Sequence, residues 1–164
     1  MAQSVESNVS RHPLETRALV DPEGVLGELP ARLQKASDNG DHKEAALLYL
    51  AQSNACRVIA DWKCQSSAGE KARDAAEKAT LPELQIRASI AASRGYMAQQ
   101  EFTIGEEFLG DAERLLDLNP NPELSADVFL AYSSLSYSLG KNSLAADYAG
   151  RGLTMLGKIP SLPI

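Results

Sequence analysis

The chain has 164 residues, of which 44% are hydrophobic and 23% charged, a composition typical of a globular domain with one core. Its formal net charge of −6 disfavours binding to nucleic-acid phosphates or to an anionic membrane surface. No stretch approaches the roughly 20 apolar residues of a membrane span, and the N-terminal residues lack the apolar core of a secretion signal. A cytoplasmic location is therefore predicted.

The N-terminal part is predicted to be a tail followed by one helix. Residues 1–20 are polar and lack periodic apolar residues, so we expect a disordered tail. A helix of about 15 residues should begin at Asp21-Pro22. Asn39-Gly40 should end it, because glycine commonly follows a helix C-terminus. Asp41 can then cap the next helix. The apolar face of this helix carries Val25, Leu26, Leu29 and Leu33.

The rest of the chain has a repeat of 40 residues, since 41–80, 81–120 and 121–160 align without a gap. Such a period is typical of stacked-repeat proteins. Four aligned columns hold similar residues: Leu50, Ile90 and Leu130; Ala51, Ala91 and Ala131; Ser53, Ser93 and Ser133; Ala72, Ala112 and Gly152.

Each repeat is predicted to form two helices. Pro82 and Pro122 mark first turns, where proline is favoured. A second break falls near the middle of each repeat, at Ala60-Asp61, Gln100-Glu101 and Gly140-Lys141. Apolar residues recur at helical spacing and no alternating strand pattern is present. We therefore predict an all-α fold of seven antiparallel helices, with small residues midway along the helices so that they pack closely.

The small and aromatic columns resemble those of the tetratricopeptide repeat. That family has a small residue at the eighth position of the repeat, an aromatic residue four before it, and further small residues on the second helix. Its preferred alanine is replaced here by Gln65 and Gly105, and the period of 40 exceeds the usual 34. Longer repeats of this kind resemble the domains that precede bacterial signalling outputs, such as diguanylate cyclases and transcriptional regulators. HEAT-like hairpins, with periods of about 40 to 47, are the structural alternative. The matching residues are Tyr49 and Ser53, then Ser93, Tyr96, Phe102 and Ala112, then Phe129, Ser133, Gly140, Ala145 and Gly152.

The resemblance implies a right-handed α-solenoid whose concave face is lined by the first helix of each pair. We expect this groove to bind a peptide or a partner helix of another protein, or an output domain of the same chain, without catalysis. The groove positions carried over from the family are Leu47, Asn54, Arg57 and Val58, then Arg87, Ile90, Arg94 and Met97, then Asp127, Leu130, Ser134 and Tyr137.

The arginines of the predicted groove indicate which partners it favours. Arg87 and Arg94 are two helical turns apart and share a helix face. A guanidinium group binds a carboxylate through two parallel hydrogen bonds. We therefore hypothesise that the three arginines and Asn54 receive an acidic side chain or a terminal carboxylate. The alternative is that the arginines pair with Glu83, Asp127 or solvent and only keep the surface soluble.

Catalytic and metal-binding patterns are not recognisable in the sequence. His12 lies in the predicted tail and His42 at a helix start, and no nucleophile stands at a plausible spacing from either. Cys56 and Cys64 fall on two different helices without metal-ligand spacing, and we expect reduced, packed thiols. No enzymatic activity, cofactor or metal is therefore expected.

The last predicted helix would leave an apolar side uncovered, because a solenoid needs a polar closing helix. Leu153, Met155 and Leu156 lie there, and residues 161–164 form a short tail. A longer chain, a second copy or the folded-back tail could cover this surface. Homo-oligomerisation through it is one alternative to groove binding. A sensor that binds a small molecule between its helices is another, and a secretion chaperone is a third.

Overall fold

A computed structural model describes residues 11–158, which contain eight helices and no strand. Three residues separate each pair of successive helices from α2 onward, and these helices begin every 20 residues from Pro22 to Asn142. The all-α prediction is therefore confirmed for this range. The helices are α1 (Pro13–Arg17), α2 (Pro22–Asp38), α3 (His42–Val58), α4 (Trp62–Lys78), α5 (Pro82–Ala98), α6 (Phe102–Leu118), α7 (Pro122–Ser138) and α8 (Asn142–Leu156).

The helix starts follow local sequence signals. The side chains of Asp21, Asp41 and Asp61 each accept a hydrogen bond of 3.0 Å from the backbone N–H three residues further on. These bonds satisfy N–H groups that have no partner within the helix. Proline occupies the first turn of α2, α5 and α7. The predicted starts at Pro22, at Pro82 and at Pro122 are confirmed, as is the cap at Asp41.

The helix ends share a left-handed residue that recurs along the repeat. Gly40 and Gly140 have φ angles of 62° and 73°, and the non-glycine residues Ala60, Thr80 and Gln100 have φ angles of 60°, 54° and 65°. This conformation lets the chain leave one helix and enter the next within three residues. Position 120 is proline, whose φ is fixed near −65°, so the turn between α6 and α7 takes a different path.

The helices pack as two layers. Sequence neighbours are antiparallel, since the C-terminal half of α3 and of α7 contacts the first turn of the helix that follows it. Successive odd-numbered helices also approach each other, with Cα atoms within 8 Å for α1 and α3, α3 and α5, and α5 and α7. Within residues 11–158 the even-numbered helices make no such approach to one another. The odd-numbered helices therefore form one continuous layer and the even-numbered helices line its other side.

Small residues allow the closest approach, which occurs between α4 and α5. A Cβ atom added at Gly69 would lie 2.5 Å from the backbone nitrogen of Ala92, and one at Gly95 would lie 2.6 Å from that of Ser66. The predicted small-residue columns are likewise in packed positions, since Ser53 and Ser93 are buried and Ala72 and Ala112 are fully buried. The prediction that small residues set the helix spacing is confirmed.

The predicted disordered tail is wrong for residues 13–17, which form α1. His12 caps this helix, because its Nδ1 accepts from the backbone N–H of Leu14 while its own N–H donates to Glu15. Leu14 and Ala18 are 5% and 0% exposed and belong to a core shared with α2 and α3. In the 40-residue repeat, α1 corresponds to the last turn of α3 and α2 corresponds to the whole of α4. These two helices therefore form an incomplete first hairpin. Residues 1–10 and the predicted tail at 161–164 lie outside the described range.

The prediction of two reduced cysteines is also wrong, since Cys56 and Cys64 form a disulfide with Cα atoms 5.7 Å apart. Cys56 lies in the last turn of α3 and Cys64 in the first turn of α4. The antiparallel turn between them brings the two side chains together within the range that a disulfide spans. In residues 11–158, no helix has the length and apolar character needed to cross a bilayer.

Candidate partner-binding site

The candidate site lies on the layer formed by α3, α5 and α7, which the sequence predicted as the binding groove. The segment that leads into α1 crosses part of this surface. Arg11 lies 3.4 Å from Glu123 of α7, and His12 lies 3.4 Å from Glu44 of α3. One short segment of the chain thus contacts both ends of the predicted groove.

Glu15 of α1 occupies the position that was predicted for a partner's carboxylate. Its carboxylate accepts a hydrogen bond from the guanidinium of Arg87, and its backbone oxygen accepts one from Asn54 at 3.4 Å. The side chains of Arg87 and Glu15 are only 10% and 5% exposed. Arg87 and Asn54 therefore bind an acidic residue of their own chain, and the hypothesis that they form an open carboxylate site is wrong.

Sequence reasoning missed Glu15 because residues 1–20 were expected to be disordered. A local signal was present in the run His12-Pro13-Leu14-Glu15, which places proline at the first helical position and glutamate at the third. Proline at the first helical position predicted the helix starts at Pro82 and Pro122 in the same way. What the sequence did not show is the ion pair, because its partners are 72 residues apart.

Arg57 and Arg94 form the open part of this surface. Both residues are exposed, and neither side chain has a hydrogen bond or ion pair with another residue in the range 11–158. Desolvation lowers the pKa of Arg94, the charge of Asp127 opposes this shift, and the like charge of Arg57 adds to it. Two neighbouring positive charges here favour an anionic ligand.

Asp127 is the acidic neighbour of Arg94. Its pKa is raised mainly by desolvation, and the charges of Arg94, Arg11 and Arg87 oppose the shift while Glu123 adds to it. The half-buried carboxylate lies among cations without a hydrogen bond or ion pair to another residue of the described range. The predicted groove residues Arg57, Arg87, Arg94 and Asp127 are thus brought into one electrostatic cluster.

The remaining predicted groove residues divide between core and surface. Met97 is half-buried and packs against the core between α5 and α6, where a Cβ atom at Gly105 would lie 3.0 Å from its Cγ, so its predicted groove position is wrong. Tyr137 is 72% exposed, and the exposed Ser134 donates its hydroxyl to the backbone oxygen of Leu130 at 3.1 Å. Val58 and Leu130 are partly exposed, whereas Leu47 and Ile90 are buried in the core.

We use the name open surface for Arg57, Val58, Arg94, Ser134 and Tyr137. These residues share the C-terminal half of α3, α5 and α7, and α1 borders them on the side of Asn54 and Arg87. The open surface combines two cations, an exposed aromatic ring and an aliphatic side chain. Such a combination can bind a segment that presents a carboxylate next to an apolar residue.

Comparison of the chain with models of known protein families, with curated proteins and with solved structures finds no match. In residues 11–158 no group of three or more His, Cys, Asp or Glu side chains is placed to hold a metal ion.

Proposed function

We propose that this chain is a non-catalytic protein-interaction module, which binds an acidic segment of a partner protein at the open surface. The fold would be a right-handed solenoid of tetratricopeptide-like hairpins with α3, α5 and α7 on its concave side. The regular 20-residue spacing of helix starts and the continuous layer of odd-numbered helices support this architecture.

The observation that carries the proposal is the pair Arg57 and Arg94. The chain carries an excess of acidic residues, and most arginines have an acidic neighbour, as Arg17, Arg73 and Arg114 do. The two arginines of the open surface have no such ion pair within the described range. Arg94, whose pKa is lowered by desolvation, gains most when a carboxylate reaches it, since the surrounding protein strengthens the interaction.

Glu15 supports the choice of an acidic ligand. It shows that this layer of helices binds a glutamate through an arginine and an amide side chain. A partner residue at Arg57 and Arg94 would bind beside α1, which is fixed in the core by Leu14 and Ala18. We propose that α1 forms one wall of the site and stays in place when the partner binds.

The partner is proposed to be an acidic peptide or helix of another protein, or an output domain of the same polypeptide in a regulatory or signalling protein. The long repeat period supports the signalling context. Nucleic acid and membrane surfaces are disfavoured by the net charge of −6.

Binding to synthetic peptides tests the proposed chemistry. One labelled peptide alternates glutamate with leucine, and its matched control has lysine in place of each glutamate. Fluorescence anisotropy should show that the full chain binds the acidic peptide and that Arg57→Glu/Arg94→Glu weakens the affinity by at least about tenfold, the loss expected for removing a charge-assisted contact. Equal binding of both peptides, or an unchanged affinity of the variant, would contradict the proposal.

A further inference from the structure

Three equivalent cavities follow one another on the side of the even-numbered helices. They lie between α2 and α4, between α4 and α6, and between α6 and α8, and the odd-numbered helix between each pair forms the floor. Every residue that lines the second cavity has its counterpart 40 positions earlier in the lining of the first, and most have one 40 positions later in the third. The second cavity, which we name the middle groove, has a lining that includes Arg73, Gln85, Ser89, Asp111, Arg114 and Leu115.

An aromatic ring with a cation over it belongs to each of the two outer cavities. In the first cavity the ammonium group of Lys71 lies 5.9 Å from the ring centre of Tyr49. In the third cavity the guanidinium group of Arg151 lies 4.3 Å from the ring centre of Phe129. A cation is attracted to the face of an aromatic ring at such distances. The repeat therefore places the same kind of contact in both outer cavities.

The middle groove lacks both members of this contact. At the equivalent positions, Ser89 stands in place of the ring and Asp111 in place of the cation. The volume of the middle groove is about 510 Å³, against about 300 Å³ for the first cavity and about 360 Å³ for the third. Cavities of this size bind small molecules in many proteins. The space that a side-chain ring fills in the outer cavities is therefore open here.

Ser89 indicates one polar group of a molecule that would fit. It is fully buried on the floor of the middle groove, and its Oγ atom has no hydrogen-bond partner among residues 11–158. A buried hydroxyl without a partner costs free energy. Rotation about the Cα–Cβ bond can turn this hydroxyl toward the cavity. A ligand that brings a hydroxyl group to Ser89 would therefore be stabilised by a hydrogen bond.

The ionised side chains of the middle groove carry no net charge. Arg73 and Arg114 both bind the carboxylate of Asp111, the first at 3.1 Å, and Glu77 is the other acidic residue of the lining. Two cations are thus balanced by two anions, which favours an uncharged ligand over an ionic one. Leu118 adds an exposed apolar side chain at the edge of the cavity.

We propose that the middle groove binds a small molecule that carries a phenol ring. The ring takes the place that Tyr49 and Phe129 have in the outer cavities, and its hydroxyl group forms a hydrogen bond with Ser89. The guanidinium groups of Arg73 and Arg114 are placed to contact the face of the ring. The middle groove lies on the side of the even-numbered helices, so this proposal does not depend on the open surface.

Titration of the full chain with 4-methylphenol tests the proposal, because this molecule is the tyrosine side chain in free form. Two-dimensional amide NMR spectra should shift at Gln85, Ser89 and Leu115, with a Kd of about 1 mM, as expected for a ligand of this size. Toluene lacks the hydroxyl group and 4-methylcyclohexanol lacks the planar ring. Each should bind at least about threefold more weakly than 4-methylphenol.

Substitutions of Ser89 test the position of the ring. Ser89→Phe restores the ring of the outer cavities and should weaken binding of 4-methylphenol at least about tenfold, because the side chain fills the site. Ser67→Phe is the matched control, since Ser67 is exposed on α4 outside the three cavities and should leave the affinity unchanged. Circular dichroism checks that both variants are folded.

Ser89→Ala keeps the test decisive should Ser89→Phe not fold. It leaves the space open and removes the hydroxyl, so 4-methylphenol should then bind as weakly as toluene does. Shifts outside the middle groove, no binding at about 10 mM, or an unchanged affinity of the Ser89 variants would overturn the proposal.

A blocked Gly-Tyr-Gly peptide separates a small molecule from a tyrosine of a partner protein. It should bind no more tightly than 4-methylphenol, because its backbone would lie outside the cavity. Tighter binding of the peptide would assign the middle groove to a partner's side chain and would contradict the proposed small molecule.

Discussion

Glu15 and Arg87 form the most deeply buried ion pair of residues 11–158, with side chains 5% and 10% exposed. Separating such a pair leaves one charge in a poorly solvated position. The pair joins α1 to α5, two helices that are not neighbours in the sequence. It therefore fixes the N-terminal segment on the odd-numbered layer and removes Arg87 from the set of residues open to a partner.

Replacing Glu15 with Gln should lower the free energy of unfolding by about 2 kcal/mol, because the charge-assisted hydrogen bond between two buried side chains is lost. Urea unfolding followed by circular dichroism measures this change. The control is Glu28→Gln, which breaks the exposed ion pair of Arg17 and Glu28 and should cost less than about 1 kcal/mol. Equal effects of the two substitutions would show that the Glu15 pair is no more than a surface contact.

The elements themselves are largely specified by short-range sequence signals. Aspartate caps, prolines in first turns and the break every 20 residues predicted the bounds of α2 to α8 closely, because each signal satisfies or removes a backbone N–H locally. Two features depended on tertiary structure and were missed. The burial of α1 depends on Leu14 and Ala18 meeting a core formed by α2 and α3. The disulfide depends on the antiparallel turn that brings Cys56 to Cys64.

The candidate site was also predicted only in part, because the sequence signals that place helices do not show contacts between distant residues. The helical positions of Arg57 and Arg94 follow from the repeat, so their shared surface could be predicted from the sequence. The occupation of Arg87 and Asn54 by Glu15 could not, since it joins residues far apart in the chain. Met97 was misplaced because helical spacing alone does not show that Gly105 opens a space for it toward α6.

At the scale of the helix pair, Gly69 should be the least replaceable small residue. Gly69→Ala would place a Cβ atom 2.5 Å from the backbone nitrogen of Ala92, so α4 and α5 would have to separate, with an expected loss of stability of about 2 kcal/mol or more. Gly27→Ala is the control, because Gly27 lies inside α2 with nothing within 4 Å and should gain about 0.5 to 1 kcal/mol from its higher helix propensity. Thermal unfolding of both variants measures the contrast. A neutral or stabilising Gly69→Ala would contradict the close packing of α4 and α5.

For the whole molecule, the distribution of charge favours one place for an acidic partner. The net charge of −6 repels acidic segments from most of the surface. Arg57 and Arg94 place positive charge within this acidic surface, on the odd-numbered layer. Since α1 covers Asn54 and Arg87, a partner can reach only the half of the layer that Arg57 and Arg94 occupy. An acidic partner would therefore be attracted to this position and repelled from most of the remaining surface.

Affinity capture from an extract of the cells that make this protein tests the central claim most directly. Three baits are compared: the wild type, Arg57→Glu/Arg94→Glu, and the control Arg32→Glu/Arg114→Glu, which reverses two exposed arginines of α2 and α6 and has the same net charge as the first variant. We predict that the wild type and the control capture the same acidic partner and that the open-surface variant, shown to be folded by circular dichroism, loses it. Capture of the same proteins by all three baits would contradict the proposed site.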